Sequence, residues 1–344
     1  MNSMFNKIKF LLTRPKVVLI AGRGKETAAR AIGQLNKDVL IYQVDAAHFN
    51  EAKFLLKNSR SVIFVATHLG EYEVDKEFFA GKKSDAVFIE ELVKNLPAQA
   101  RLIFNFDDEI IRDIKNQTNV NSLAFGFGMR ADIQATDVLI TQSPDFGTNF
   151  KINYEKNIVP VWLKNLFGKE HIYAALSAVG VGEILGLNLV EISAALKFYE
   201  GIPRRMKLVE GIKNTLILDD SESASPLSMQ AALDVFKKIE TSGRKIAVLG
   251  DIIGSGQYVP ETHETIGAMV KTSTDLLFTV GLRAKFYAEG AKKAGFAPDK
   301  IFSFDEAPET GLALQKEMKQ GDLILIDGSK ELQMVKIVDE IRKI

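Results

Sequence analysis

The chain has 344 residues, 46% hydrophobic and 26% charged, with 44 Lys+Arg against 44 Asp+Glu. That length suits about two domains of ~150 residues with ordinary packed cores, and the balanced charge gives no electrostatic case for nucleic acid or an anionic membrane. Cysteine is absent, which excludes disulfides, thiolate metal sites and a cysteine nucleophile and fits a reducing cytosol.

Near the start, Phe10-Leu11-Leu12 lies between lysines and is too short for a signal core or a span. No later apolar run approaches ~20 residues, so a cytoplasmic protein without a membrane span is expected. Lys16–Ala21 (KVVLIA) is a buried-strand run. Gly22-Arg23-Gly24-Lys25-Glu26-Thr27 follows, then a helical stretch, Ala28 to Leu35. Strand, glycine turn, lysine, hydroxyl and helix is the order of a phosphate-binding loop. Glycines let N–H groups approach a phosphate, Lys25 supplies charge, and Thr27 can reach Mg²⁺. A single residue separates the glycines and Glu26 follows the lysine directly, so a plain tight turn is the alternative.

Val39–Val44 is the next strand, ending at Asp45-Ala46-Ala47-His48. Val62–Ala66 ends at Thr67-His68-Leu69-Gly70-Glu71-Tyr72-Glu73. Leu102–Asn105 ends at Asp107-Asp108. Helical segments at Asn50–Lys57 and Ala86–Leu96 separate these runs, the pattern of a parallel sheet with crossover helices. His48 and His68 read either as metal ligands or as hydrogen-bonded loop residues; their spacing matches no compact zinc motif. Val120–Lys151 reads as an irregular β region. Gly168-Lys169-Glu170-His171 opens a helix, Ile172–Leu185, whose alanines and glycines suit close packing. A second helix spans Leu189–Phe198, and Ile202–Met206 reads as a linker.

Beyond it, Thr215–Leu218 is a short apolar run that breaks at Asp219-Asp220. Ser221, Ser223, Ser225 and Pro226 then read as loop and helix start, with Ser225 as N-cap and Pro226 at the first helical position. Met229, Ala232, Leu233 and Phe236 form an i, i+3, i+4, i+7 face. Acids and hydroxyls therefore stand at the carboxyl end of a strand, where open α/β sheets place ligands; the alternative is a turn with solvated acids. Further strands end at Gly250-Asp251, at Gly281 and at Asp327-Gly328-Ser329-Lys330, so this is a second, mostly parallel α/β domain.

Over Gly201–Ile344 the markers Arg205-Met206, Leu218-Asp219-Asp220-Ser221 with Ala224 and Pro226, Ser228–Leu233, Val248-Leu249-Gly250-Asp251, His263-Glu264 with Gly267, and Gly328-Ser329-Lys330 come in one order. The series resembles the carboxyl-terminal domain of the Mur ligase family, most of all its D-alanyl-D-alanine-adding branch, which carries D-D-S-Y-N-A-N-P, V-L-G-D-M and G-S-R stretches. The first half resembles the family's central ATPase domain through Gly22–Thr27, Asp45–Glu51, Thr67–Glu73, Asn105-Asp107-Asp108 and Gly168–Tyr173.

The resemblance implies an α/β fold with a parallel-sheet, P-loop-like ATPase domain over 1–203 and a Rossmann-like domain over 204–344. The two would face each other across the hinge, with strand ends lining a cleft near Arg205. It implies ATP and Mg²⁺ as cofactors and amide-bond formation in peptidoglycan precursor synthesis: ATP phosphorylates a carboxylate, an amine attacks the acyl phosphate, and phosphate leaves. Lys25 would grip phosphates with Gly22 and Gly24, Thr27 and Asp45 would stand at the metal, and His171 would lie near the adenine. Arg205 would reach a phosphate, Asp219 or Asp220 the ribose, and Asp251, Ser329 and Lys330 the amine donor. The family loop is G-T-N-G-K-T-T; here it is a residue shorter, with Glu26 in place of the first Thr. A family metal-binding His falls at Glu73, and the lysine that many members carbamylate falls near Ile89. The Tyr and Asn residues of the carboxyl-terminal motif become Glu222, Ser223 and Ser225. About a dozen residues precede the first strand, so the family's UDP-sugar domain is expected to be missing, with a partner protein able to supply it. Substrates would be a small-molecule carboxylate and an amino acid or dipeptide. The alternative is a degenerate Mur-like partner or scaffold of a cell-wall enzyme.

Overall fold

A computed structural model describes residues 4–70, 72–73, 78–79, 83–142, 145–222, 224–253 and 259–343. Glu71 and Ser223 lie outside the described residues. The chain divides into two compact units. One comprises Met1–Leu139, Asn149–Leu163 and Lys169–Glu200, the other Ile140–Thr148, Lys164–Gly168 and Gly201–Ile344.

The first half runs α1 (Met4–Thr13), β1 (Lys16–Ala21), α2 (Lys25–Gly33), β2 (Leu40–Val44), α3 (Phe49–Asn58), β3 (Ser61–Ala66), β4 (Tyr72–Glu73), β5 (Phe78–Phe79), α4 (Lys83–Lys94), β6 (Arg101–Asn105), α5 (Glu109–Lys115), β7 (Asn121–Gly126), β8 (Ile133–Thr141), β9 (Gly147–Tyr154), β10 (Asn157–Lys164), α6 (Lys169–Ile184) and α7 (Leu189–Leu196). Eight strands form a sheet in the order β10-β9-β8-β7-β6-β3-β1-β2. β2, β1, β3, β6 and β7 are parallel, for example Val18↔Ile41 and Val18↔Ile63. The central strands β1 and β3 are buried on both faces except at their first residue, which is why they read as unbroken apolar runs rather than as alternation. One face packs Leu19, Phe64, Leu102 and Phe104 against helices that contribute Leu55, Ile89 and Leu92. On the other face α6 comes close enough that a Cβ on Gly180 would lie 3.1 Å from Ile103 and 3.3 Å from Ile133, so the small residues of this helix set its packing distance.

The region expected to be irregular, Val120–Lys151, is instead made of regular strands, β7, β8 and the start of β9. β9 and β10 are joined by Glu155-Lys156, both with positive φ (47° and 66°), as a type I′ hairpin turn requires. α2 begins at Lys25 rather than Ala28, so the lysine and threonine of the loop stand in its first turn.

The second half runs β11 (Lys207–Glu210), β12 (Leu216–Asp220), α8 (Pro226–Lys238), β13 (Lys245–Gly250), α9 (Val259–Val270), β14 (Leu276–Val280), α10 (Lys285–Lys293), β15 (Ile301–Phe304), α11 (Ala307–Glu317), β16 (Leu323–Asp327) and α12 (Val335–Ile341). The sheet order is β11-β12-β16-β13-β14-β15, antiparallel only at β11–β12. The period-2 alternation of β16 shows in its two faces. Leu323 and Leu325 join Met229, Phe236 and Tyr287 on one side, while Ile324 and Ile326 join Leu314, Ile337 and Ile341 on the other. Ser225 caps α8 as read from the sequence: its hydroxyl accepts the Ser228 N–H at 3.1 Å, and Ser228 Oγ accepts the Ser225 N–H at 2.8 Å. α9 and α10 cross backbone to backbone. A Cβ on Gly267 would lie 2.1 Å from the Tyr287 carbonyl, and one on Gly290 would lie 2.0 Å from that of Glu264.

Candidate functional site

In the first unit, chemistry-bearing groups collect where β1, β2, β3 and β6 end. Gly22 has φ 108°, and a Cβ there would stand 2.6 Å from both the His68 carbonyl and Thr67 Oγ1, so only glycine fits. Gly24, at φ 76°, is the N-cap of α2. The loop is clamped from β3: the Thr67 hydroxyl donates to the Ala21 and Arg23 carbonyls at 3.0 and 2.7 Å, and the Arg23 N–H donates to His68 O at 2.6 Å. This fixes the backbone of the glycine turn at the helix start, where anions are favoured.

Asp45 and Glu170 meet the first turn of α2. Lys25 Nζ lies 3.3 Å from Asp45 Oδ2. Asp45 also takes His48 Nδ1 at 2.7 Å and the Ala47 N–H at 3.1 Å. Desolvation pushes its carboxyl up, but the His48 and Lys25 contacts together outweigh it and hold it below the usual range. The fully buried Thr27 hydroxyl donates to Glu170 Oε1 in the first turn of α6. Sequence reasoning singled out Thr27 and Asp45 as a metal pair. The structure sets Asp45 on Lys25 and His48, and brings Glu170 to Thr27. Glu170 was legible only as an acid in a helix's first turn; its partner is 143 positions away.

His48 and His68 are each paired with one carboxylate. His68 Nδ1 lies 3.0 Å from Asp108 Oδ2, and Asp108 also accepts the Leu69 N–H at 2.7 Å and caps α5 through the Ile111 N–H at 3.0 Å. Among the described residues no group of three His, Asp or Glu converges as a metal site. Asp107 accepts the Phe127 and Gly128 N–H groups at 2.7 and 3.0 Å and the Tyr173 hydroxyl at 3.0 Å. His171, expected beside the adenine, is 1% exposed and holds Tyr199 OH at 2.9 Å through Nδ1. The ring is a buried partner of Tyr199.

In the second unit the carboxyl ends of β12, β16 and β13 gather acids. Asp219 accepts the Ser221 N–H at 3.1 Å; burial pushes its carboxyl above the usual range despite Ser221 and the charge of Arg204. Asp220 accepts the Met206 N–H at 3.2 Å. Asp220 pairs with Asp327 across β12–β16, so their side chains share a face. Asp327 is fully buried and neither of its oxygens has a hydrogen-bond partner. Burial, then the neighbouring Asp220 charge, pushes it well above the usual carboxylate range. Asp251 accepts the Arg283 N–H at 3.3 Å on one oxygen, while the other has no partner. The Ser329 N–H donates to Asp251 O at 3.3 Å, and Ser329 Oγ accepts the Ile253 N–H at 2.9 Å, so these two predicted site residues are brought together. Lys330 beside them is exposed. The Ile252 N–H donates to His263 Nε2 at 3.2 Å, which puts the ring proton on Nδ1. Arg205 lies between two non-glycine residues with positive φ, Arg204 (66°) and Met206 (43°), and Arg204 is tied to Glu222 at 2.5 Å.

The first α/β unit carries the glycine turn at the start of α2, and the second carries the carboxylates at its strand ends. Residues 204–330 match the family described as Mur ligase, glutamate ligase domain, and the chain is homologous to these enzymes. It is 26% identical over 307 residues to the UDP-N-acetylmuramoyl-tripeptide–D-alanyl-D-alanine ligase of Bacillus subtilis, covering 89% of this chain and 65% of that one. It is also 26% identical over 307 residues to the Escherichia coli ligase of the same name, covering 88% and 64%. The chain thus spans just under two thirds of the length of these relatives. Its fold is that of MurF from Acinetobacter baumannii, with a TM-score of 0.77 at 19% identity over 97% of this chain and 78% of that chain. It also matches the MurF ligase of Thermotoga maritima in complex with ADP, with a TM-score of 0.73 at 17% identity, covering 99% and 84%. Among the described residues no helix is long and apolar enough to cross a membrane.

Proposed function

We propose that this chain is an ATP-dependent carboxylate–amine ligase of the Mur type, cytoplasmic, acting on a peptidoglycan precursor or a related small carboxylate. The observation that carries it is the glycine turn of β1–α2, with Lys25 and Thr27 in its first helical turn, in a chain whose residues 204–330 match a Mur ligase domain. Homology to ligases supports this reading over an inert partner.

The γ-phosphoryl group of ATP passes to the substrate carboxylate, the amine attacks the acyl phosphate, and phosphate leaves as the amide forms. Such a reaction asks the protein mainly for positioning and charge neutralisation. Gly22 and Gly24 open the backbone to the phosphates and Lys25 supplies the cation. Arg205 meets a phosphate, and Asp219 or Asp220 takes ribose hydroxyls. Asp251, Ser329 and Lys330 hold the amine donor, Lys330 meeting its carboxylate. The Thr27 hydroxyl and the Glu170 carboxylate that meets it are hard oxygen donors that fit Mg²⁺, and Asp45, held on Lys25, is a further carboxylate at the loop. When bound, the metal would supply further neutralisation of phosphate charge.

Phosphate release with candidate carboxylates and D-alanyl-D-alanine tests the reaction, and Mg-ATP calorimetry tests the site. Binding that is lost in Lys25→Ala is expected. A folded chain that neither binds Mg-ATP nor releases phosphate across the acceptor panel refutes the reading.

A further inference from the structure

The loop is occupied by the chain's own carboxylate. Glu170 Oε1 takes the hydrogen of the buried Thr27 hydroxyl. Its side chain also lies over the glycine turn: a Cβ built on Gly24 would stand 3.4 Å from Glu170 Cγ and 3.7 Å from Oε1. A carboxylate held there repels an approaching phosphate, like charge facing like charge. Lys25, the obvious counter-charge, is engaged with Asp45. As it stands, the cradle disfavours a bare nucleotide.

The same two oxygens suit a divalent cation. Neighbouring ligands on octahedral Mg²⁺, each at about 2.0–2.1 Å, lie about 2.9 Å apart, which is a hydrogen-bond separation. Mg²⁺ also favours one or two carboxylates together with substrate phosphates. Resting on the nucleotide site argued above, we infer that Glu170 makes this loop metal-selective. Without a divalent cation its carboxylate caps Thr27 and excludes free nucleotide. With Mg²⁺, Glu170 and the Thr27 hydroxyl oxygen take the cation, and the loop accepts the triphosphate as its metal complex.

The test is calorimetric titration of ATP into the full chain, wild type and Glu170→Gln, in Mg²⁺ and in EDTA. The glutamine keeps an acceptor for Thr27 and removes only the charge, and a thermal melt confirms folding. In EDTA, Glu170→Gln is expected to bind ATP about tenfold more tightly than wild type, since a facing charge is gone. In Mg²⁺ it should bind no better than wild type, so the metal dependence collapses. A second readout uses Mn²⁺ alone, followed by the EPR signal of the free ion: wild type should deplete it and Glu170→Gln should not. Equal metal dependence in the two chains, or equal Mn²⁺ binding, overturns the inference while leaving the nucleotide site standing. If wild type binds no nucleotide in either buffer, both readings fall together.

Discussion

Replacing Asp327 by Asn should stabilise this protein at neutral pH. The Asp327 carboxyl is fully buried, both oxygens lack partners, and the paired Asp220 stands on the same sheet face. Burial and that neighbouring charge push Asp327 well above the ordinary 3.8, so between the unfolded and folded values the folded chain keeps a proton that the unfolded chain releases. Stability then falls as pH rises from the unfolded value toward the folded one, because the folded state binds more protons over that window. One proton of difference sets a ceiling of about 1.4 kcal/mol per pH unit, or about 2.7 kcal/mol between pH 5 and 7. Asn carries no such proton. Urea melts of wild type and Asp327→Asn at pH 5, 6, 7 and 8 would show the variant more stable at pH 7, with the gap closing toward pH 5. A variant no more stable at pH 7, or two parallel pH profiles, would refute the buried-proton argument.

Other outcomes follow from the same geometry. Gly22→Ala puts a methyl within 2.6 Å of the His68 carbonyl at a φ of 108°; the melting midpoint should drop by the equivalent of roughly 2–3 kcal/mol, and nucleotide binding should be lost with it. Asp322 has the opposite pH sign to Asp327. Burial pushes it up, but hydrogen bonds from Arg244 and from the Lys319 and Arg244 N–H groups hold it below the usual range. Its contribution is present above the unfolded value of 3.8 and lost as pH falls through the folded one. Asp322→Asn should therefore cost roughly 1.5–3 kcal/mol at pH 7 in denaturant melts and far less in strong acid. Asp108→Ala removes the α5 cap and the acceptor for the Leu69 N–H, and should cost about 1–2 kcal/mol in the same assay.

What was legible in the sequence was local. The β1 run, the two glycines and Lys25 fixed a strand–turn–helix, and Ser225-Pro226 with Met229, Ala232, Leu233 and Phe236 fixed the start and inner face of α8. The β9–β10 hairpin was hidden because its I′ turn is built from Glu155-Lys156 rather than Asn-Gly. Glu170 and Asp327 were hidden for a different reason. One gains its role from a helix 143 residues away in sequence, the other from β16 being inserted between β12 and β13. Strand order is a global outcome, and no short window reports it. His171 was legible as polar in an apolar helix, but only packing shows that Tyr199 takes it.

The crossing of α9 and α10 bears on inheritance as much as on packing. Each helix has its bare glycine pressed beneath the other's main chain, at Gly267 and Gly290, so neither position can drift alone. A methyl at either site would wedge the pair apart and shift Tyr287, whose hydroxyl holds the Gly250 carbonyl at 3.1 Å just before Asp251. Two glycines in a helix crossing are thereby tied to the alignment of an acid at the strand ends, and descendants of this chain can vary around that acid only while leaving the joint alone.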